Sequence, residues 1–144
     1  MRLEETIMAN YVSTTRTNYF HVKDAEAFRT FMDNVSGDDL ELWDEKDDKG
    51  DTVFAFGCEG SIYGIQNENE NDDYDLFIKK LQEYIADNDA VILTEAGHET
   101  LRCVTGFATV ITSKDIQFLN LDEYALTKAK EMLNNQDFTT TMDY

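Results

Sequence analysis

Two acidic runs contain the residues of this chain whose types and spacing suggest chemistry. The first runs from Asp38 to Asp51 and the second from Glu68 to Asp75. A strand places alternate carboxylates roughly 6.6–6.8 Å apart, and a helix places side chains four residues apart at about 5–6 Å. Duplex DNA carries one phosphate charge per roughly 1.7 Å of its axis. A row of carboxylates therefore imitates part of the DNA field and attracts a basic, nucleic-acid-binding surface.

The charge of the chain is concentrated around these runs. Thirty acidic and twelve basic residues among 144 give a formal net charge of −18. Residues 38–89 contain seventeen acids and four bases, so −13 of that charge falls in about a third of the chain. Solubility alone needs a net charge of magnitude roughly 2–8 in a small domain. The excess indicates a cationic partner or a high-salt habitat, and the alternative interpretation is an ordinary solvated face.

The predicted partner-binding residues are the acids of both runs and one tryptophan. In the first run they are Asp38, Asp39, Glu41, Trp43, Asp44, Glu45, Asp47, Asp48 and Asp51. In the second run they are Glu68, Glu70, Asp72, Asp73 and Asp75. Trp43, Tyr63 and Tyr74 lie among these acids, and aromatic side chains commonly anchor an interface.

Other motifs do not support a metal, a cofactor or catalysis. The acids around Gly50 do not have the spacing of a calcium-binding loop with its distant Glu. The glycine-rich segment from Gly57 to Gly64 has no Lys-Ser/Thr pair and is not a phosphate-binding loop. Cys58 and Cys103 are predicted to be reduced strand residues. We therefore predict no metal, no cofactor and no enzymatic activity.

The two histidines differ in their sequence neighbours. Glu95 and His98 could form an acid–base pair, since a carboxylate tunes a neighbouring imidazole. The alternative, which we favour, is a histidine in a hairpin turn at residues 97–99. His21 ends the first predicted strand and has no partner in the sequence.

The hydrophobic periodicity places these residues on an α+β body. Strands are predicted at 11–22, 39–43, 53–58, 61–65, 90–95, 101–112 and 116–119, and helices at 25–35, 73–86 and 121–134. This order predicts an antiparallel sheet of five to seven strands with about three helices, in ferredoxin-like (split βαβ) order with C-terminal additions. Residues 1–8 are predicted to be an N-terminal extension, 9–136 a single domain, and 137–144 a tail.

Side-chain patterns make this prediction more specific. Asp24 and Asn120 are expected to cap the helices that follow them. Leu40 and Leu42 are expected to point inward. The last helix is expected to bury five side chains, those of Ala125, Leu126, Ala129, Met132 and Leu133.

In size, acidity and lack of a catalytic motif, the chain resembles the small anti-defence proteins of phages and mobile elements. These are the anti-CRISPR and antirestriction proteins, several of which are DNA mimics. The resemblance rests on composition and on the acidic runs at Asp38–Asp51 and Glu68–Asp75. It implies a non-catalytic inhibitor, in the cytoplasm of a bacterial host, whose carboxylates occupy the DNA-binding channel of a nuclease or its guide complex. Its partner would be a CRISPR effector or restriction enzyme, without direct contact with nucleic acid or membrane, and a homodimer is compatible with it.

Two further hypotheses come from the same residues. An acidic adaptor or self-assembling protein would use its charge for solubility, and would show an exposed apolar patch and a concentration-dependent oligomer. A cryptic enzyme would need a pocket that joins Glu95, His98 and Cys103.

Overall fold

The computed structural model describes residues 11–99 and 103–139. The predicted N-terminal extension and residues 140–144 of the predicted tail lie outside these ranges. The strands are β1 (Tyr11–Thr17), β2 (Ser36–Gly37), β3 (Glu41–Lys46), β4 (Thr52–Cys58), β5 (Ile62–Gln66), β6 (Asp72–Asp73), β7 (Ala90–Glu99), β8 (Cys103–Thr112) and β9 (Ile116–Asn120). The helices are α1 (Ala25–Met32), α2 (Tyr74–Gln82) and α3 (Leu121–Leu133).

Six of the strands form one antiparallel sheet in the order β3-β4-β1-β7-β8-β9. The strands β2, β5 and β6 form a second, three-stranded sheet. These sheets and the three helices confirm the predicted α+β class with an antiparallel sheet.

The core is an aromatic cluster between the large sheet and the helices α1 and α2. Phe28 of α1 packs against Phe54 of β4 with ring centroids 5.0 Å apart, and Phe77 of α2 lies 6.1 Å from Phe56. Phe20 lies 5.6 Å from Phe28. All five rings are fully buried. We call the face of the sheet that carries Phe54 and Phe56 the helix face, and the opposite face the outer face.

The predicted helix starts are confirmed by their caps. Asp24 accepts a hydrogen bond from the Ala27 N–H, and Asn120 accepts bonds from the N–H groups of Asp122 and Glu123. Asp73 caps α2 in the same way through the Leu76 N–H. The helix α1 ends three residues earlier than predicted and α2 four residues earlier, because each closes with hydrogen bonds between residues three apart.

Two strand predictions were wrong at their ends. β1 stops at Thr17, and Phe20 and Val22 make only isolated bridges, to Phe54 and Ile85. The predicted turn at residues 97–99 is strand, because β1 continues beside it and its ladder includes the pairs Tyr11–Glu99 and Ser13–Gly97.

Two burial predictions also differ from the structure. Leu42 is on the helix face opposite Phe56, but it is 37% exposed because β3 is the edge strand. The last helix was predicted to bury five side chains and buries none of its residues. The exposed fraction of Met132 is 85% and that of Leu133 is 57%. The apolar periodicity of α3 is real, but no described element covers it.

Candidate acidic interface

The small sheet brings the start of the first acidic run close to the end of the second. β2 ends at Gly37, directly before Asp38, and pairs with one side of β5 through Gly37 and Ile62. β6, which is Asp72–Asp73, pairs with the other side of β5. Neighbouring strands are about 4.8 Å apart. The start of the first run and the end of the second therefore flank one strand, at a lateral separation of about 10 Å.

Asp38 is held in place at this junction. Its Oδ2 atom accepts the Ser61 N–H at 2.9 Å, and its Oδ1 atom accepts the hydroxyl of Tyr63. The Ser61 N–H, and then the Tyr63 hydroxyl, lower the pKa of Asp38. The hydrogen bond to Asp38, and then burial, raise the pKa of Tyr63. The negative charge of Asp72 also raises it. The Tyr63 side chain therefore lies in the field of both runs.

The hydrogen bonds divide the predicted acids into two groups. Four of the acids make contacts within the fold. Asp38 accepts a bond in a turn, Asp44 forms an ion pair, Asp47 contacts a histidine and Asp73 caps a helix. The side chains of the other nine make no hydrogen bond or ion pair that joins described residues. These nine are Asp39, Glu41, Glu45, Asp48, Asp51, Glu68, Glu70, Asp72 and Asp75, and all are exposed.

Trp43 does not project from this surface as an anchor. It is half-buried on the outer face of β3, opposite Ala55, and the guanidinium carbon of Arg16 lies 4.8 Å from its ring centroid. Glu41 and Glu45 flank Trp43 on the same face, because side chains alternate along a strand. Tyr63 is 45% exposed, whereas Tyr74 is half-buried.

One ion pair connects the first run to the core. Arg29 of α1 donates to Asp44 Oδ2 at 3.1 Å, and its guanidinium carbon lies 5.1 Å from the Phe54 ring centroid. A planar guanidinium suits both contacts. Asp44 is therefore bound to the helix face, while its neighbour Glu45 points to the outer face.

His21 lies between two carboxylates from distant parts of the chain. Its Nε2 atom is 2.7 Å from Asp47 Oδ2, and its Nδ1 atom is 2.8 Å from Asp89 Oδ2. The backbone N–H of His21 also donates to Asp89 Oδ2 at 2.7 Å. The hydrogen bond to Asp47, and then that to Asp89, raises the pKa of His21 above its ordinary 6.5. We call this group the histidine clamp, since it joins the β3–β4 turn and the loop before β7 to the segment after β1.

Both carboxyl groups of the clamp are stabilised in their ionised form. The His21 ring, and then the Asp51 N–H, lower the pKa of Asp47. Burial opposes the ionisation of Asp89, but the backbone and ring of His21 outweigh it, and the pKa of Asp89 is lowered. Asp47 Oδ1 also accepts the N–H groups of Lys49 and Asp51, each at 2.9 Å. Asp47 therefore organises the turn between β3 and β4.

The clamp also places possible metal ligands close together. Ligand atoms of His21, Asp47 and Asp51 lie within 4.8 Å of one another. Both ring nitrogens of His21 are hydrogen-bonded to carboxylates, so a cation would have to displace one of these bonds. The geometry favours an imidazolium held by two carboxylates.

We expect the histidine clamp to give stability that is lost as the pH rises. The folded pKa of His21 is above 6.5, so its contribution is complete below about pH 6.5 and disappears as the pH rises through the raised value. Asp47 and Asp89 also contribute stability, but at acidic pH. Their contribution is complete above about pH 3.8 and is lost as the pH falls through their lowered pKa values. Thermal unfolding from about pH 6 to about pH 9 should therefore show a falling Tm.

The matched variants for this test are His21→Gln and His98→Gln, because the chain has two histidines. His98→Gln should keep the fall in Tm, and His21→Gln should remove most of it. A fall that persists unchanged in His21→Gln would mean that another group titrates.

The structure separates the proposed acid–base pair. Glu95 and His98 are three residues apart in β7, so they point to opposite faces of the sheet. Glu95 faces a groove of about 350 Å³ on the helix face, whose lining includes Tyr74, Phe107 and Phe118. Cys58 is a buried free cysteine in β4, as predicted, and burial raises its pKa. The side chain of Cys103 lies outside the described part of the chain.

The described residues form an α+β protein in which two acidic runs approach each other at β5. Comparison with protein-family models, with curated proteins and with solved structures found no match. Within residues 11–99 and 103–139, no helix has the length and apolar character needed to cross a membrane.

Proposed function

We propose that the protein is a non-catalytic inhibitor that binds a basic, nucleic-acid-handling defence enzyme through its acidic surface. The observation that carries this proposal is a set of nine exposed carboxylates, none of which pairs with another described residue. The start of the first run and the end of the second lie on either side of β5, whereas Glu41, Glu45, Asp48 and Asp51 lie on β3 and its turn to β4. A surface of this kind repels nucleic acid and attracts the cationic channel that nucleic acid would occupy. A CRISPR effector or a restriction enzyme has such a channel.

The remaining parts of the proposal follow from the same inhibitor class. The protein would act in the cytoplasm of a bacterial host as the product of a phage or mobile element. It would need no cofactor and would contact neither nucleic acid nor membrane. The opposite orientations of Glu95 and His98 support a role without catalysis.

We also propose that the body is a ferredoxin-like unit with C-terminal additions. The supporting observation is that β3, β4, β1 and β7 are neighbours in this order, all antiparallel, with α1 after β1 and α2 before β7. A split βαβ unit has this arrangement. β8, β9 and α3 would then be the additions.

Neutralising either run should weaken inhibition. We expect Glu41→Gln/Glu45→Gln/Asp48→Asn/Asp51→Asn, and separately Glu68→Gln/Glu70→Gln/Asp72→Asn/Asp75→Asn, to lose about 1–3 kcal/mol of binding free energy. This estimate takes about 0.2–1 kcal/mol for each exposed ion pair and corresponds to a roughly tenfold to hundredfold loss of affinity. DNA cleavage by purified CRISPR effectors and restriction enzymes, titrated with each variant at several salt concentrations, measures it.

The control is a variant that loses the same charge elsewhere. Glu83→Gln/Asp87→Asn/Glu131→Gln/Asp137→Asn changes four exposed acids outside the runs. It should inhibit like the parent, and the salt dependence should flatten only in the run variants. If all three variants lose inhibition equally, the effect depends on net charge alone. If no variant loses inhibition, a mimicry mechanism is excluded.

A second candidate function is an acidic adaptor or self-assembling protein. The observation that favours it is the apolar surface of α3 and β9, where Phe118 is 63% exposed and Leu121 is 60% exposed. In that function the carboxylates maintain solubility, and the run variants above would have no effect on partner binding.

A further inference from the structure

No described residue covers the end of the large sheet opposite the acidic edge. Seven of the exposed apolar side chains of β8, β9 and α3 form what we call the β9 surface, with exposed fractions of 42% to 85%. They are Phe107, Phe118, Leu119, Leu121, Tyr124, Met132 and Leu133. Contiguous exposed apolar patches of this kind mark interaction sites.

The β9 surface extends over both faces of the sheet. Phe118 lies opposite Thr109, which is buried on the helix face, so Leu119 points to the outer face. On the helix face, Asp75, Ile78 and Lys79 of α2 border Phe118, and they leave it 63% exposed. The uncovered region is therefore the whole edge of the sheet rather than one face of it.

On the outer face, α3 forms one wall of an apolar groove. A Cβ atom on Gly106 would lie 3.1 Å from Leu121 Cδ2, so the first turn of α3 lies directly on β8. The groove has a volume of about 510 Å³, and its lining includes Ala96, Ala108, Leu119 and Tyr124. α3 has thirteen residues and buries none, and isolated helices of about this length are marginal in water. A covering partner would stabilise it.

The two edges of the large sheet are built differently. The β3 edge contains Glu41, Asp44, Glu45 and Lys46, and charges of this kind block edge-to-edge pairing. The β9 edge reads Ile-Gln-Phe-Leu-Asn, without charge or proline, and its register with β8 is unbroken. β9 therefore lacks the features that prevent a strand from joining another chain.

We propose that two copies of the chain form a symmetric homodimer through β9 and α3. Antiparallel pairing of an edge strand with its own copy satisfies a two-fold axis, so the same surface serves both protomers. Residues 103–139 contain five acids and three bases, which leaves this end close to neutral. The acidic β3 edge is five strand spacings away, about 24 Å, which exceeds the Debye length of about 8 Å in physiological salt. The charged residues that border Phe118 are one acid and one base, Asp75 and Lys79, so the β9 surface offers a strongly basic partner little net charge to match.

Sedimentation equilibrium over a dilution series of the full chain tests the dimer. We expect a molar mass that approaches twice 16.6 kDa as the concentration rises. Leu119→Lys and Met132→Lys should each raise the dimer dissociation constant at least about tenfold, since each places a cation in an apolar contact. Met132 is 85% exposed, so its variant keeps the fold even if Leu119→Lys does not.

The matched control is Leu42→Lys on the opposite edge strand, where Leu42 is 37% exposed. It should dimerise like the parent. A strict monomer at every concentration, an open-ended polymer, or equal weakening by Leu42→Lys would each overturn the proposal. High salt distinguishes this surface from the acidic one, because it should leave the dimer intact and weaken binding through the carboxylates. The dimer does not depend on the proposed inhibitor function.

Discussion

Replacing Phe28 by alanine is expected to lower the free energy of unfolding by about 3–5 kcal/mol, the usual cost of deleting a buried aromatic ring. Phe28 is fully buried, and its ring lies within 6.4 Å of the rings of Phe20, Phe31, Phe54 and Tyr84. The loss is large because the surrounding rings come from several elements and cannot all move into the cavity. Natural domains are stable by about 5–15 kcal/mol, so this variant loses a large share of its stability.

Urea unfolding followed by the fluorescence of Trp43, the single tryptophan, measures this loss. Tyr19→Ala is the matched control, because it also removes an aromatic ring but from a position that is 36% exposed. We expect the control to lose less than about 1.5 kcal/mol. Similar losses in both variants would mean that the aromatic cluster does not dominate the stability of the fold.

Replacing Gly64 by alanine is expected to break the connection between the acidic runs. Gly64 has a φ of +118°, which L-residues rarely adopt, and a Cβ atom there would lie 2.2 Å from the Asp73 carbonyl oxygen. Backbone strain of this kind costs about 1–3 kcal/mol before the clash is counted. We therefore expect a loss of about 3 kcal/mol or more, with the pairing of β5 and β6 lost first.

Gly50→Ala is the control that measures backbone strain without a steric clash. Gly50 has a φ of +84°, but no atom lies within 4 Å of its Cβ position, so this variant should lose only about 1 kcal/mol. Urea unfolding gives the stabilities, and amide hydrogen exchange at Ile65 and Asp73, which face each other across the two strands, reports on the β5–β6 pairing. If Gly64→Ala exchanges like the parent at these amides, β6 is not held by the contact at Gly64.

Local signals in the sequence were sufficient for much of the fold. Asp24 and Asn120 mark helix starts because a side-chain oxygen there satisfies free N–H groups, wherever the helix packs. The apolar run of β4 predicts a strand buried on both faces, and the whole run is buried. In each case the signal depends on neighbouring residues alone.

The arrangement of the candidate site depends on contacts between distant residues and was not predictable in this way. β2 and β6 have two residues each, too few to show a period, yet they place the start of the first run and the end of the second on either side of β5. His21 has no partner nearby in sequence, and its partners Asp47 and Asp89 become visible only when three loops meet. The apolar periodicity of α3 predicts a covered face, but it does not say which molecule covers it.

The position of β1 in the sheet has a consequence for how the chain folds during synthesis. β1 is made before the other described strands, but it is an interior strand, and its neighbours β4 and β7 follow about forty and eighty residues later. At about 5–20 residues per second, β1 waits for several seconds before its second partner leaves the ribosome. Distant pairings of this kind also slow the folding of the completed chain. We expect a truncated product that ends before β7 to remain without its sheet, so the chain commits to its native structure late in translation.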